Sequence, residues 1–496
     1  MKKTILLLSI LIIASFLRLY NLAPAHNSGA FLPPGLYPDE AMNGNNAQES
    51  IDTGDFKIFY PENFGREGLF INIQALSINK FGHHPWALRL PSAIFGILTV
   101  LGLYFFTKEL FKNEILALLA SFLLATSFWH INFSRIGFRA IMAPFFLTWG
   151  LYLLLLGFNK LKNGVNFQKA TSLHIIGGLI YGLGFHSYIA YRATPILFIL
   201  ILYFYFQESK KGGWTKQFLH SFLHFFLFAL IAFFPLGLYF LHNPHDFLGR
   251  TAGISIFNSQ TPFKDLAFNI LKTAGMFNVA GDFNWRHNIA GKPLLFWPVG
   301  IFFLIGAYFS LRKILKWRKW LSPESITWAW FLTAFLPVVI SDEGLPHALR
   351  SILMVPPVFI LSAIGGLKVY EIFKLKFKNR WLLVIGCWLF FSLLLFEAYY
   401  SYFITWGKNP NVKNAFAYND YIISGYLNSL PKELPKYAVV KNVNGEIHRD
   451  TPISLQSVLF LTDTFTGAKR KEKNIFYLTE EQYKNLKPRN IFIIKL

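Results

Sequence analysis

Long apolar runs recur along most of this chain, and short polar stretches separate them. Each run comes close to the roughly 20 apolar residues that are needed to cross the hydrocarbon core of a bilayer. The pattern therefore predicts an all-α polytopic membrane fold. About eleven transmembrane helices are expected, at 4–22, 86–106, 115–131, 140–158, 172–187, 191–206, 218–241, 294–311, 325–340, 348–370 and 381–404.

The residues after 404 lack such a run and show shorter periods. A helix pattern over 418–427 is followed by strand-like runs rich in β-branched and aromatic residues. The three runs lie at 437–443, 474–478 and 490–495. We therefore predict two domains, a membrane domain over 1–404 and a small α/β domain over 405–496.

Basic residues fill every second short loop between the predicted spans, as at Lys210, Lys211 and Lys216. By the positive-inside rule these loops and the N-terminus face the cytoplasm. The long loops 23–85 and 242–293 and the C-terminal domain are then extracytoplasmic. The first long loop has spaced apolar positions, which are typical of short helices on the membrane interface. We predict a multi-pass protein of the plasma (inner) membrane.

The composition agrees with this picture. Hydrophobic residues make up 53% of the chain, and the formal net charge is +22. The basic excess reflects membrane topology and attraction to anionic lipid headgroups, so nucleic acid is excluded as a partner. The single cysteine, Cys387, lies in an apolar run, which excludes an intramolecular disulfide and a thiolate metal site.

Two pairs of charged residues stand out in the first long loop. Asp39 and Glu40 follow Pro38 and precede a helix pattern, where the helix dipole stabilises anions. Adjacent carboxylates in different environments allow one of them to act as a general base, although a simple capping pair has the same sequence. Arg66 and Glu67 also precede a helix pattern, and they form either an ion pair or part of an anion site.

Two predicted turns between spans are rich in charged residues. One contains His130, Arg135 and Arg139, and the planar guanidinium of arginine suits a phosphate. Snorkelling of these side chains at the interface is the alternative. The other turn is short enough that its polar side chains are expected to point into a shared cavity. These side chains are Asp342, Glu343, His347 and Arg350.

The second long loop, 242–293, offers hydrogen-bond donors and acceptors and an aromatic face that could pack on a sugar. They are Asp282, Trp285, Arg286 and His287. A structured surface loop fits the same composition. The spacing of histidines predicts no metal site. A divalent metal ion near Asp39 or Asp342 is compatible with this chemistry but is not required by it.

Taken in their order along the chain, these motifs resemble the GT-C-fold glycosyltransferases of the family 39 type. That group includes protein O-mannosyltransferases and lipid A aminoarabinose transferases. The resemblance covers roughly 1–405. It rests on Asp39-Glu40, Arg66 to Phe70, Ala87 to Ser92, Trp129 to Arg139, Gly281 to Asn288 and Pro346 to Arg350.

The resemblance implies a GT-C-like membrane fold in which Asp39 or Glu40 is the catalytic base. It also implies that Arg135, Arg139 and Arg350 bind the donor phosphate, with no cofactor required. The implied function is an inverting glycosyltransferase that moves a sugar from a polyprenyl-phosphate donor to an extracytoplasmic hydroxyl. The acceptor would be a protein, a glycolipid or a wall polymer. The remaining substrate-binding candidates are Arg66, Glu67, His130, Asp282, Trp285, Arg286, His287, Asp342, Glu343 and His347.

Two other classes of function stay open from the sequence. A membrane transporter or lipid-linked sugar flippase would keep charged residues within its spans and show repeated halves or broken helices. The sequence has no internal repeat, and Glu397 is the residue nearest to a charge within a span. A non-catalytic scaffold that presents the C-terminal domain is the third class.

Overall fold

The computed structural model describes residues 2–24, 31–164, 167–316, 322–342, 344–376, 379–440, 447–448, 451–486 and 492–495. Glu343 therefore lies outside the described residues. The chain divides into two compact units. The membrane unit comprises Met1–Tyr20, Ser92–Ser134 and Arg139–Ile404. The loop unit comprises Asn21–Pro91, Arg135–Phe138 and Thr405–Leu496.

The described residues are mostly helical. The first ten α-helices are α1 (Lys2–Leu19), α2 (Pro38–Thr53), α3 (Gly68–Phe81), α4 (Pro85–Phe111), α5 (Glu114–Ala125), α6 (Phe128–Phe133), α7 (Met142–Lys162), α8 (Phe167–Leu183), α9 (Pro195–Gly212) and α10 (Thr215–His242). The next six are α11 (Pro244–Gly253), α12 (Pro262–Gly275), α13 (Trp297–Lys316), α14 (Pro323–Val339), α15 (Val355–Lys376) and α16 (Arg380–Tyr399).

Shorter helices and strands follow the last span. The helices are α17 (Pro410–Ala415), α18 (Tyr418–Ser429), α19 (Gln456–Thr462), α20 (Gly467–Lys473) and α21 (Glu480–Leu486). The strands of the whole chain are β1 (Phe59–Tyr60), β2 (Arg66–Glu67), β3 (Lys436–Val440), β4 (Ile447–His448), β5 (Thr451–Pro452), β6 (Ile475–Thr479) and β7 (Phe492–Lys495).

The all-α polytopic fold predicted from the apolar runs is confirmed, and every predicted span contains a helix. Among the described residues, seven helical stretches are long and apolar enough to cross a membrane. They are Pro85–Phe111, Arg139–Lys162, Ile189–Gly212, Thr215–His242, Trp297–Lys316, Arg350–Lys376 and Arg380–Trp406. In the other four predicted spans the helices are shorter, or, in α1, include three basic residues.

Glycines allow two central helices of the membrane unit to pack closely. A Cβ atom on Gly306 of α13 would lie 1.8 Å from the Leu361 carbonyl oxygen of α15. One on Gly365 of α15 would lie 1.9 Å from the Phe302 carbonyl oxygen. Since a bilayer gives no hydrophobic drive for helix association, backbones in close contact supply the dispersion energy. This crossing places α15 in the interior of the unit.

Helix α2 is the central helix of the loop unit, and it packs against α3 and α19. Its polar residues are buried and bonded: the Asn45 Nδ2 donates to the Gln456 Oε1 at 2.8 Å. Glu40 to Ala47 are all buried. The predicted interfacial position of this helix is therefore wrong, because the hydrogen-bonding capacity of its polar side chains is satisfied inside the unit.

The C-terminal part of the loop unit contains a parallel sheet with the strand order β6-β3-β7. In that sheet Lys436 pairs with Ile475 on one side and with Phe492 on the other. The three strands lie where the sequence predicts strands. Contacts place this segment in one unit with residues 21–91, a grouping that the predicted domain boundaries do not contain.

A titratable residue, His83, lies where the first and last segments of the loop unit meet. The centroid of its ring is 3.9 Å from the ring centroid of Phe460 in α19. Burial lowers the pKa of His83 to about 4, and the charges of His84, Lys469 and Lys473 add to this effect. The neutral imidazole is therefore the form that the folded unit favours.

We expect the loop unit to lose stability as the pH falls from about 6.5 towards 4. In that window the unfolded chain binds a proton that the folded unit excludes. The loss amounts to up to about 3 kcal/mol, since each unit of pKa shift corresponds to about 1.4 kcal/mol. Thermal unfolding followed at several pH values should show the loss in the wild type and not in His83→Phe. The exposed neighbour provides the control variant His84→Phe, which should keep the pH dependence.

Candidate active site

Glu40 lies in the first turn of α2 and its carboxylate is fully buried. Its Oε1 accepts from the Arg89 Nε at 2.8 Å, and its Oε2 accepts from the Arg89 Nη2 at 2.9 Å. The Gly137 backbone N–H donates to Oε1 at 2.7 Å, and the Tyr37 N–H to Oε2 at 3.3 Å. This bidentate ion pair, with its remaining lone pairs occupied, is typical of a structural carboxylate.

Arg89 extends the same network to the backbone of the first loop. Its Nη1 donates to the Pro33 carbonyl at 2.6 Å, and its Nη2 donates to the Gly35 carbonyl at 2.9 Å. The guanidinium carbon also lies 5.8 Å from the ring centroid of Phe416. Arg89 therefore connects the start of α4, the loop before α2 and the C-terminal segment.

Asp39, one residue earlier, has a different environment. Its side chain is only partly buried, and its Oδ1 accepts from the Asn63 Nδ2 at 3.2 Å. Successive side chains of a helix point in different directions, so Glu40 faces into the unit while Asp39 lies towards its surface. Of the two predicted catalytic acids, Asp39 is the one that a substrate can reach.

Arg66 and Glu67 are buried in the loop unit next to α2. The Arg66 Nη1 donates to the Asn43 Oδ1, and its Nη2 to the Asn46 Oδ1, both at 2.7 Å. Glu67 is the residue that precedes α3, and it pairs with Phe59 in the β1–β2 ribbon. The substrate-binding roles of this pair stay predictions, and the contacts show that Arg66 fixes the polar face of α2.

The predicted phosphate-binding arginines of the turn after α6 fall into different units. Arg135 belongs to the loop unit, where its guanidinium is fully buried and donates to the Leu32 carbonyl at 2.9 Å. Arg139 belongs to the membrane unit and is partly exposed at the start of the helical stretch that leads into α7. Because Arg139 is the more exposed of the two, it is the better candidate for binding a phosphate.

A second cluster lies in the membrane unit and is centred on Asp282. Its Oδ2 lies 2.9 Å from the His287 Nδ1 and 3.9 Å from the His347 Nδ1. The Ala348 N–H donates to the same oxygen at 2.9 Å, and the Asn284 N–H donates to Oδ1 at 2.8 Å. Asp282 therefore brings together the long loop and the turn after α14, two segments whose contact the sequence did not predict.

Burial lowers the pKa of His287, while its hydrogen bond to Asp282 raises it and the charges of Arg286 and Arg350 lower it again. The neutral ring donates its Nδ1–H to Asp282, which fixes the tautomer. The ring centroid of His287 lies 4.9 Å from that of His347. The guanidiniums of Arg286 and Arg350, set against the single carboxylate of Asp282, give this cluster a net positive charge.

Helix α6 forms one wall of this cluster. The Trp129 Nε1 donates to the Ala348 carbonyl at 2.9 Å, and the Asn132 Nδ2 donates to the Arg286 carbonyl at 2.7 Å. His130 is fully buried between them, and its Nδ1 accepts from the Arg18 Nη2 at 2.7 Å. The first predicted span therefore contributes a buried arginine, Arg18, that orients His130, one of the candidate substrate-binding residues.

The remaining candidates lie in the same long loop and in the turn after α14. Arg350 is buried, and its guanidinium bonds to the Ser341 hydroxyl. Trp285 and Arg286 are partly exposed, and the Arg286 Nε donates to the Asn284 Oδ1 at 3.3 Å. Asp342 is exposed and lines a cavity of about 300 Å³. The other residues around that cavity are Asp265, Phe268, Asn269, Lys272, Gly344 and Leu345.

Two arginines of these clusters are missing from the predicted site. Both Arg18 and Arg89 lie at the end of an apolar helix, and each is fully buried in the structure. An ionisable residue within an apolar run is costly there and is a functional candidate for that reason. That signal was present in the sequence, but the partners lie 112 and 49 residues away, and only the fold reveals them.

Known proteins support the fold on two levels. The sequence profile of dolichyl-phosphate-mannose-protein mannosyltransferases matches residues 69–239. ArnT from Cupriavidus metallidurans bound to undecaprenyl phosphate superposes with a TM-score of 0.56 at 13% identity, over 97% of this chain and 90% of that one. No curated protein sequence matches this chain.

An archaeal enzyme shares the same architecture. The Archaeoglobus fulgidus oligosaccharyltransferase tethered with an acceptor peptide superposes with a TM-score of 0.55 at 15% identity, over 97% of this chain. This chain spans 64% of the archaeal protein. A complex of that enzyme with Zn and sulfate gives a TM-score of 0.52 at 14% identity, over 96% of this chain and 62% of that one.

The matched family and these solved structures are all glycosyltransferases of the membrane. The chain therefore has the GT-C membrane glycosyltransferase fold, and the resemblance stated from the sequence motifs is confirmed. It is a multi-pass membrane protein, and among its solved neighbours one is bound to undecaprenyl phosphate and another is tethered with an acceptor peptide.

Proposed function

We propose that this protein is an inverting glycosyltransferase that moves a sugar from a polyprenyl-phosphate donor to a hydroxyl group of an acceptor. The proposal rests on the difference in burial between two adjacent acids. Glu40 is fully buried in an ion pair with Arg89, whereas Asp39 is partly exposed beside it. A rigidly held helix start with one accessible carboxylate is what a general base requires.

In this proposal Asp39 accepts the proton of the acceptor hydroxyl. The hydroxyl oxygen attacks the anomeric carbon of the donor sugar, and the bond between that carbon and the phosphate oxygen breaks. The electron pair of the broken bond leaves with the polyprenyl phosphate. A single displacement of this kind inverts the anomeric configuration, and it needs no nucleotide and no redox cofactor.

We assign the donor phosphate to Arg139 and Arg350, since developing charge on the leaving group is stabilised by guanidinium donors. The charges of Arg286 and Arg350 both act on His287, so these three residues lie close together. For Arg135 we propose a positioning role through its bond to the Leu32 carbonyl, in place of the direct phosphate contact expected from the resemblance.

A divalent metal ion is compatible with the membrane-unit cluster. Asp282, His287 and His347 place three potential ligand atoms within 4.8 Å of one another. One carboxylate and two imidazoles form a donor set that zinc takes in catalytic sites. A cation held by these residues would supply positive charge for a phosphate oxygen. The roles proposed for Asp39, Arg139 and Arg350 do not depend on it.

The wider setting follows from the predicted topology. We propose that the chain lies in the plasma (inner) membrane with its N-terminus in the cytoplasm, and that Asp39 and the C-terminal residues are extracytoplasmic. The acceptor would then be a protein, a glycolipid or a wall polymer on that side of the membrane.

The direct test is to incubate purified protein in proteoliposomes with a panel of polyprenyl-phosphate sugars and a cell-envelope extract as acceptor. Mass spectrometry should identify a product that carries one sugar from the donor, with free polyprenyl phosphate released. Movement of the lipid-linked sugar across the bilayer without a glycosylated product would contradict the proposal, and it would favour a flippase.

We expect Arg350→Met and Arg139→Met each to raise the KM for the donor by about 10- to 100-fold, because a hydrogen bond to a charged group is worth about 1.5–3 kcal/mol. The KM for the acceptor should change little. Arg312→Met is the matched control, since Arg312 is an exposed arginine in the last turns of α13. An equal rise of both KM values would argue against a phosphate-specific role.

A further inference from the structure

Helix α12 has its apolar and polar faces reversed relative to a helix in water. The residues that it buries against the membrane unit are polar, chiefly Asn269 and Thr273. Its apolar residues point away from the protein: Phe263 is 86% exposed and Leu271 is 68% exposed. A soluble helix would bury these residues in its core.

Four of the exposed apolar residues of α12 form a stripe along one face. Phe263, Ala267, Ile270 and Ala274 follow the spacing i, i+4, i+7 and i+11, which places them on one face. The 3-10 turn Ile256–Asn258 contacts the helix, and its Phe257 is 70% exposed. A contiguous apolar surface of this kind marks a contact with a lipid or a partner.

The hydrogen bonds of α12 fix its depth relative to the spans. The Asn269 Nδ2 donates to the Val339 carbonyl and to the Ser341 carbonyl, both at 3.0 Å. Val339 is the last residue of α14, which is one of the predicted transmembrane helices. Helix α12 is therefore held against the C-terminal end of α14, where the sequence predicts that this span leaves the hydrocarbon.

A third face of α12 lies between the buried polar face and the stripe, and it borders a cavity. Lys272 and Phe268 lie there, and both line the cavity of about 300 Å³ together with Asp342. Lys264 lies between this face and the stripe, where an ammonium group can reach a lipid phosphate. The helix thus separates a polar cavity on one side from the apolar stripe on the other.

We propose that α12 is an interfacial helix that seats its apolar stripe in the phospholipid leaflet at the C-terminal end of α14. The long hydrophobic residues of the stripe replace water with acyl chains, and Lys264 contacts the anionic headgroups. The helix also holds the Ser341 segment, whose hydroxyl bonds to Arg350. Insertion of α12 into the leaflet therefore helps to hold both Arg350 and one wall of the cavity in position.

The test uses spin labels on single cysteines in a Cys387→Ser background, because Cys387 is the one native cysteine. Ala274→Cys places a label on the stripe, and Lys272→Cys is the matched control on the cavity face of the same turn. The labelled proteins are reconstituted in vesicles of phosphatidylethanolamine and phosphatidylglycerol. Collision rates with oxygen and with a water-soluble nickel chelate are then measured by power saturation.

We expect the label at position 274 to collide at least several-fold more often with oxygen than with the nickel chelate, and the ratio to reverse at position 272. High access of both labels to the chelate would place the stripe in water and overturn the proposal. Low access of the 274 label to both reagents would show a protein partner or a second copy on the stripe, and would overturn it equally. A charged variant, Ile270→Glu, should raise access of the 274 label to the chelate.

Discussion

Asp39→Asn is expected to lower the rate of sugar transfer by about 10²- to 10⁴-fold, the usual contribution of a general base. The amide cannot accept the acceptor proton, but it keeps the size of the side chain. Its bond with Asn63 is a single contact at a partly exposed site, so folding should be unaffected. Transfer is measured with proteoliposomes and a radiolabelled donor, and folded protein by size-exclusion chromatography.

Asp55→Asn is the control for this variant, because Asp55 is an exposed carboxylate of the same loop. It should transfer sugar at the wild-type rate. A second signature distinguishes a base from a binding residue: Asp39→Asn should lower kcat while the KM for the donor stays within a few-fold. If Asp39→Asn kept the wild-type kcat, the assignment of the base would be wrong.

Glu40→Gln is expected to destabilise the loop unit by about 3–5 kcal/mol, because it removes one partner of a buried ion pair. Arg89 would then be left as an uncompensated charge with no exposed surface. The neutral amide would also lose the charge-assisted bond from the Gly137 N–H. Resistance of the reconstituted protein to proteolysis and to heat measures the loss.

The double variant Glu40→Gln/Arg89→Met separates an ion pair from a catalytic role. Removing both charges should restore a large part of the lost stability, since two neutral groups of similar volume replace the pair. If Glu40→Gln instead stayed as stable as the wild type and lost activity alone, Glu40 would take part in the chemistry and not in the architecture.

Hydrophobic periodicity was sufficient to predict the long helices of the membrane unit and the three strands of the parallel sheet. All eleven apolar runs contain helix, and the strand-like runs near 437, 474 and 490 coincide with β3, β6 and β7. These features depend on residues that are close in sequence, and a bilayer imposes a simple length requirement on its spans. The motifs were also sufficient to predict the GT-C fold.

Partners distant in sequence were beyond prediction. Glu40 and Asp39 are adjacent and chemically alike, and contacts with distant residues such as Arg89 and Gly137 give Glu40 a different environment. The amphipathic reading of α2 failed for the same reason, because Asn43, Asn45 and Asn46 bond to Arg66 and Gln456 instead of facing water. The sequence shows which side chains are polar, whereas tertiary contacts decide whether their hydrogen bonds are made inside the protein or to water.

The loop unit is built from segments that are far apart in the chain, and this has a consequence for biosynthesis. Its segments come from both ends of the chain, and the bond between Asn45 and Gln456 joins residues that are 411 positions apart. The early segment leaves the ribosome long before its C-terminal partner exists, so its buried amides must wait in a solvated or chaperone-bound state. The early segment therefore cannot complete its contacts until Gln456 has been synthesised, and deletion of α19 would remove the partner of Asn45 in α2.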